Sequence, residues 1–227
     1  MKKQSVNLAD YVYLKLKEGI LSQKLSPGQK LIETEISETL GASRTPIRSA
    51  LNKLAKEGIV TILPNKGAHV INPTIEEITE AFIFRKQLEL YATEEIMEKI
   101  QEEDINKLKM LVEKEFESYE ERDLAKYIET NTEFHKTLVS TSDNRFLKEH
   151  THQMIHQTHI YLILFDNFDA VKRELRSTKE HTELIHLLEK RDADAFHQLL
   201  DEHISKGIEE YKGRINPYRN VSDLFQG

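Results

Sequence analysis

The chain has 227 residues, no cysteine and a formal net charge of −7 at pH 7. That length holds one large or two modest cores, and the lack of cysteine excludes disulfides, iron–sulfur clusters and thiol chemistry. The longest purely apolar run, Ile160 to Phe165, is far short of a membrane span, and Lys2 and Lys3 are followed by polar residues, so a soluble, cytoplasmic protein with no membrane partner is expected.

The charge is unevenly divided. Up to Ile75 there are 11 Lys and Arg against 6 Asp and Glu, and beyond it 21 against 33. Such asymmetry points to a nucleic-acid partner for the N-terminal part alone, because the field that matters is local.

In chain order, residues 1 to 6 read as a loose end. Leu8, Val12, Leu16 and Ile20 then make a helical stripe that ends near Gln23, before the turn Ser26-Pro27-Gly28. Ile32, Ile36 and Leu40 predict a short amphipathic helix closed by Gly41, a residue suited to a left-handed cap. A second helix follows over Ser43 to Gly58. Its inner face is Ile47, Leu51, Leu54 and Ala55; its outer face carries Arg44, Thr45, Arg48, Ser49, Asn52, Lys53 and Lys56. Ser43 is a candidate N-cap, and Pro46 falls in the first turn, where a missing N–H costs little. Arg44 and Arg48 are one turn apart and leave the helix start on one side. Ile59 to Leu63 and Gly67 to Ile71 are β-branched runs separated by Pro64-Asn65-Lys66, a hairpin signal with Lys66 near its tip. The order of these pieces predicts a winged helix-turn-helix over residues 1–73. Its second helix would enter a DNA major groove while its cations neutralise phosphates.

The run Ser43-Arg44-Thr45-Pro46-Ile47-Arg48-Ser49-Ala50-Leu51, followed by Leu54, Glu57-Gly58 and Lys66-Gly67, resembles the signature of GntR-type transcription regulators. The resemblance implies that Arg44, Thr45, Arg48 and Gly67 meet operator DNA. With Ser49, Asn52 and Lys66 from the same exposed face and wing tip, they form the expected DNA-binding set. The pattern departs at Thr34, where many members place an Arg, and at Ile32, where a Ser or Pro is usual.

Asn72-Pro73 breaks the strand pattern, and from Thr74 the period is helical throughout. Thr74 with Glu77 has capping-box spacing ahead of an inward stripe of Ile78, Phe82, Leu88, Ala92 and Ile96. A second helix, about Asp104 to Glu121, carries Leu108, Leu111, Val112 and Phe116 on one face. Asp123 caps a third, with Tyr127, Ile128, Asn131, Phe134, His135 and Leu138. A fourth follows the polar break Ser140 to Asn144 and runs to about Phe165, ahead of a loop over Asp166 to Asp169. Ser177 with Glu180 repeats the capping-box spacing for a helix to Lys190, and Asp192 caps the last, to about Lys212. The expected fold is mainly α: three helices and a β-hairpin wing, then, over residues 74–227, an antiparallel bundle of six or seven helices.

Nine of the ten histidines lie in this second part. Asn131 and His135 share one helical face; His181 is in register with Ile185 and Leu188, and His203 with Phe196, Leu199 and Leu200. Four polar residues on core-facing stripes of three helices would cost a few kcal/mol each if left unpaired. They are therefore expected to meet one another or a shared ligand. One buried His is ordinarily a hydrogen-bonded core residue; four aligned groups fit a divalent metal such as zinc or nickel. His186 and His197 fall on polar sides, His69 on the wing, and His150, His152, His156 and His159 are ambiguous.

Asn131-x-x-Phe134-His135-x-x-Leu138, Glu180-His181 with Ile185, and His203-Ile204 look like the helical effector-binding (FCD) domain of the FadR-type branch of GntR regulators. The resemblance implies Asn131, His135, His181 and His203 as ligands of a metal. Asn stands where Asp is commoner, which leaves four neutral ligands and a metal charge open to an anion. Arg85 matches a position that often faces the effector cavity, where its fork would bind a carboxylate; a pair with Glu89 one turn on is the other reading. The function expected is a non-enzymatic, DNA-binding regulator, usually a repressor. It would act as a homodimer on double-stranded palindromic operator DNA, controlled by a small organic acid. Two alternatives are a regulator for which the metal is the signal, and a metal-dependent hydrolase tethered to a DNA-binding domain. The hydrolase lacks a general base at an obvious spacing, though Glu133 and Glu180 are near in sequence.

Overall fold

The structure is a computed structural model that describes residues 7–22, 24–165 and 175–214. The chain divides into two compact units, Met1–Thr74 and Ile75–Gly227. The first helix ends at Leu21 with Ser22 as its C-cap, two residues before the expected end; Gln23, the loop Asp166 to Asp169 and residues 1 to 6 lie outside the described residues.

In the first unit α1 (Leu8–Leu21) and α2 (Glu33–Leu40) pack on α3 (Arg44–Lys56). Ile47, Ala50, Leu51 and Leu54 of α3 are buried among them, as the three-and-four spacing requires. α2 departs from the sequence reading. Ile32 is its N-cap rather than part of its face, and Ile32 and Leu40 are both exposed. The helix ends as expected on Gly41 at φ +57°, with the turn closed by a hydrogen bond from Ala42 N to Ser37 O. β2 (Val60–Leu63) and β3 (Gly67–Val70) form the hairpin, in register Leu63↔Gly67 and Val60↔Val70. A third strand, β1 (Lys30–Leu31), pairs with β3 and gives the order β1-β3-β2. Two residues are too few to show alternation, so the sequence carries no sign of it.

The second unit contains seven described helices: α4 (Ile75–Tyr91), α5 (Thr93–Lys99), α6 (Glu102–Glu120), α7 (Leu124–Ser140), α8 (Arg145–Phe165), α9 (Arg176–Lys190) and α10 (Ala193–Arg214). α4 packs on α8, α8 on α7, α7 on α6, α6 on α9, α9 on α10 and α10 back on α4. Six helices therefore close a ring around one core, with Phe134, Phe196, Leu184 and Leu188 inside it. The single helix expected from Thr74 through Ile96 is broken between Tyr91 and Thr93. Arg191 stops α5 by donating to the carbonyls of Met97 and Ile100, at 2.5 and 2.8 Å, which satisfies two orphan acceptors. The capping box expected from Ser177 and Glu180 does not form. α9 starts at Arg176 with Leu175 as N-cap, and Ser177 and Glu180 are used as side-chain partners instead.

Two inward stripes also differ from expectation. On α4 the buried positions are Ile78, Phe82, Arg85 and Glu89, with Leu88 only half-buried. On α6 the stripe passes through Ile105, Leu108, Leu111, Val112, Glu115 and Ser118, and Phe116 is turned outward. In each case a charged residue occupies a position that apolar periodicity assigns to a neighbour. Burial of a charge demands a partner: Glu89 is met by Arg85 and by His135, and Glu115 by His181.

Candidate functional site

On the first unit, Arg44, Thr45, Arg48, Ser49 and Asn52 are exposed along α3, and Lys66 and Gly67 are exposed at the wing. Thr45, Arg48, Ser49, Asn52, Lys53 and Lys56 line one open groove, so all but Arg44 of the outer-face side chains named from the sequence share it. Gly67 sits at φ +88° and Asn65 at φ +61°, left-handed conformations that set the tight wing turn. Ser43 has the extended backbone of an N-cap, but its side chain makes no capping hydrogen bond. Arg48 is not a free cation: its Nε donates to Glu33 Oε2 on α2 at 2.8 Å. A carboxylate there competes with phosphate. Glu33→Gln is therefore expected to raise affinity for a DNA fragment selected by the protein about two- to fivefold and to steepen its salt dependence. Anisotropy titrations at several salt concentrations check this; equal affinity and slope would show that Glu33 does not compete.

Within the helical ring, His135 on α7, His181 on α9 and His203 on α10 are buried and meet. Among the described residues they are the group of possible ligands whose donor atoms all lie within 4.8 Å of one another. The Nε2 atoms of His181 and His203 are 3.3 Å apart, as are those of His203 and His135. Phe134 stacks on the His181 ring at 3.9 Å between centroids, fixing its plane.

Each ring is held from behind by a carboxylate on another turn or helix. His135 Nδ1 lies 2.6 Å from Glu89 Oε2 on α4, His181 Nδ1 lies 2.9 and 3.0 Å from the Glu115 oxygens on α6, and His203 Nδ1 lies 2.8 Å from Glu180 Oε2 on α9. A carboxylate accepts, so each Nδ1 carries the hydrogen and each Nε2 presents a lone pair. Burial, together with Arg85 and His181, pushes His135 down to about 3 against the pull of Glu89. Burial and His181 likewise push His203 down to about 4 against Glu180. Both rings are thus neutral at pH 7. Burial acts to raise Glu89, but Arg85 and His135 together outweigh it, and the carboxyl is held at about 2.

Three lone pairs aimed at one point repel unless something positive lies between them. Nitrogens bound to zinc at 2.0–2.1 Å stand about 3.3–3.4 Å apart around a tetrahedron, and the two short edges match that figure. The donor set can therefore hold a divalent cation. Asn131 lines a cavity together with His135 and His203, its Nδ2 donating to Ser177 Oγ at 3.3 Å; its Oδ1 has no hydrogen-bond partner among the described residues.

That cavity has a volume of about 70 Å³ and is bordered by Arg85, Asn131, His135, Arg176 and His203. Arg85 is buried and committed: its Nε donates to Glu89 Oε1 at 2.5 Å and its Nη1 to Thr158 Oγ1 at 3.2 Å. The pair with Glu89 exists, and Arg85 also borders the cavity, with the Nε side of its fork already spent on Glu89. Its Nη2 bonds to no described residue. Arg176 is paired with Glu180 and Glu210. His186 and His197 are exposed, His152 bonds to Ser140 and His159 to Thr132, and none of them joins the cluster. Glu133 pairs with Lys107 at the surface, and Glu180 is occupied by His203 and Arg176. Glu115, and the contact of Glu89 with His135, were missed from the sequence, where the only signal was an acid standing at an inward helical position.

Residues 8–70 match the model for bacterial regulatory proteins of the gntR family, and residues 80–206 match the FCD domain. The chain belongs to the GntR family and carries an FCD domain. It is similar to the uncharacterized HTH-type transcriptional regulator YdhC of Bacillus subtilis (strain 168), 29% identical over 204 residues, which cover 88% of this chain and 89% of that protein. It is also similar to the HTH-type transcriptional repressor RspR of Escherichia coli (strain K12), 23% identical over 195 residues, 86% of this chain and 85% of that protein. McbR of the same organism is 30% identical over 190 residues, 82% of this chain and 83% of that one. The solved structure of E. coli McbR/YncC matches with a TM-score of 0.70 at 25% identity, covering 92% and 98% of the two chains. These GntR relatives are regulators rather than enzymes, and the chain is a DNA-binding transcription regulator. No helix among the described residues is long and apolar enough to cross a membrane.

Proposed function

We propose that this GntR regulator is a repressor that binds a palindromic operator as a homodimer, and that a small organic acid controls it from a metal centre in the FCD domain. The metal, zinc or nickel, would be held by His135, His181, His203 and Asn131. The effector would take an open coordination position and present a carboxylate to Arg85 Nη2. The observation that carries this reading is the convergence of three buried imidazoles, with His203 Nε2 3.3 Å from the Nε2 atoms of both His181 and His135 and each ring held through Nδ1 by a carboxylate. The similar protein RspR is a transcriptional repressor, which supports the direction of control. The cavity, at about 70 Å³, is roughly half the size of one that takes benzene, which favours a carboxylate of a few carbons. A coupling of about 3 kcal/mol between effector and DNA changes operator affinity about a hundredfold.

The test is elemental analysis of the purified protein, with a thermal-shift screen of short mono- and dicarboxylates before and after chelation. About one metal per chain, and an acid that raises the melting temperature only in the metal-loaded protein, are expected. Absence of metal together with no effect of chelator would overturn the metal reading and leave the histidines as a hydrogen-bonded core.

A further inference from the structure

Behind the three imidazoles stand three carboxylates, and they differ in how their charge is met. Glu89 is paired with Arg85. Glu180 is paired with Arg176 and lies 3.7 Å from Lys206. Glu115 is wholly buried, and both of its oxygens are spent on His181 Nδ1; no Lys or Arg among the described residues pairs with it. An ionised carboxylate in such a place is costly unless a cation stands close by. The four proposed ligands are all neutral and supply no such compensation in the other direction: a divalent ion on Asn131 and three imidazoles keeps its full charge. The two imbalances lie at the two nitrogens of the same imidazole ring.

We infer that Glu115 is the positioning residue of the metal centre: it fixes His181 with Nε2 toward the ion and supplies the negative charge that Asn131 does not. The inference rests on the metal reading above. Glu115 works through His181 and touches neither ion nor effector. An acidic ligand in the inner set is then unnecessary, because the charge is placed one ring further out. Carboxylates acting through a ligating histidine typically contribute about 10–100-fold to metal affinity. Among the three, Glu115 is expected to contribute most, since Arg85 and Arg176 already offset the other two.

The experiment measures zinc affinity of the full chain by competition with a chromophoric chelator. Wild type is compared with Glu115→Gln, Glu180→Gln, and Glu115→Gln combined with Asn131→Asp. Gln still accepts from Nδ1–H, so the first variant removes charge while keeping the ring in place. Its affinity should fall about 10–100-fold, Glu180→Gln should fall less, and Asn131→Asp, which returns a charge from the other side of the ion, should recover most of the loss. A folded Glu115→Gln protein with affinity within threefold of wild type overturns the inference while leaving the metal centre intact; failure of the added Asp to recover affinity overturns the charge assignment. A wild type that binds no zinc overturns this inference and the metal reading together. A second readout needs no variant. The cobalt(II)-loaded wild type should show three exchangeable, contact-shifted imidazole N–H signals in its proton spectrum, one per ring, and only two would show that Glu115 does not hold His181 Nδ1–H.

Discussion

Arg44→Ala combined with Arg48→Ala is expected to lower specific DNA affinity at least a hundredfold at physiological salt while leaving the helical unit folded. Both side chains are exposed at the start of α3, one turn apart, and neither contributes to the core formed by Ile47, Ala50, Leu51 and Leu54. Each well-placed Arg contact with a base edge is worth about 1–3 kcal/mol of discrimination, and each phosphate contact adds a salt-dependent share. The double variant should therefore lose both its preference for a selected fragment over random DNA and part of its salt slope. Anisotropy titrations on selected and random duplexes, with circular dichroism as the folding control, check this. Undiminished preference for the selected fragment would remove α3 as the recognition helix. Lys66→Ala at the exposed wing should act differently, weakening selected and random DNA about equally.

The other large effect is expected at His181. The ring is fully buried between Phe134 and Glu115, with Nε2 turned to His203. His181→Ala removes one of three imidazole donors and strips Glu115 of its hydrogen-bond donor. The metal-loaded fraction after dialysis should drop to about one tenth or less of the wild-type value, since two imidazoles and an amide do not complete a zinc set. Stability should fall even in the metal-free protein, by about 3 kcal/mol, because a buried carboxylate loses its partner as a ring-sized void opens. Elemental analysis and chelator-treated thermal melts separate the two consequences. Retained stoichiometry would refute the site, and an unchanged metal-free melt would show that water replaces the ring at no cost. His186→Ala, on the exposed side of α9, is the control and should change neither.

The sequence by itself determined most of the architecture and half of the site. The apolar spacing of Ile47, Leu51 and Leu54, Gly41 as a left-handed cap, and Pro64-Asn65-Lys66 between two β-branched runs are local signals, each tied to a backbone conformation or a helical face. They specify the DNA-binding unit without knowledge of any long-range contact. The histidines were legible for the same reason: His135, His181 and His203 interrupt apolar stripes, and a polar residue on a core face announces a partner. What that partner is was not legible, because it lies far along the chain. Glu89 is 46 residues from His135, and Glu115 is 66 from His181. Such pairings are fixed only when six helices close a ring and set their distances and angles. Periodicity also misassigned α6, preferring Phe116 to Glu115, since an apolar pattern values hydrophobicity and cannot foresee that a buried imidazole will supply a donor. β1 escaped for a related reason: a two-residue strand exists only through its pairing with β3. Tertiary structure thus decided the tautomers, the direction of the lone pairs and the placement of charge around the centre, all of which depend on contacts between helices rather than on any one of them.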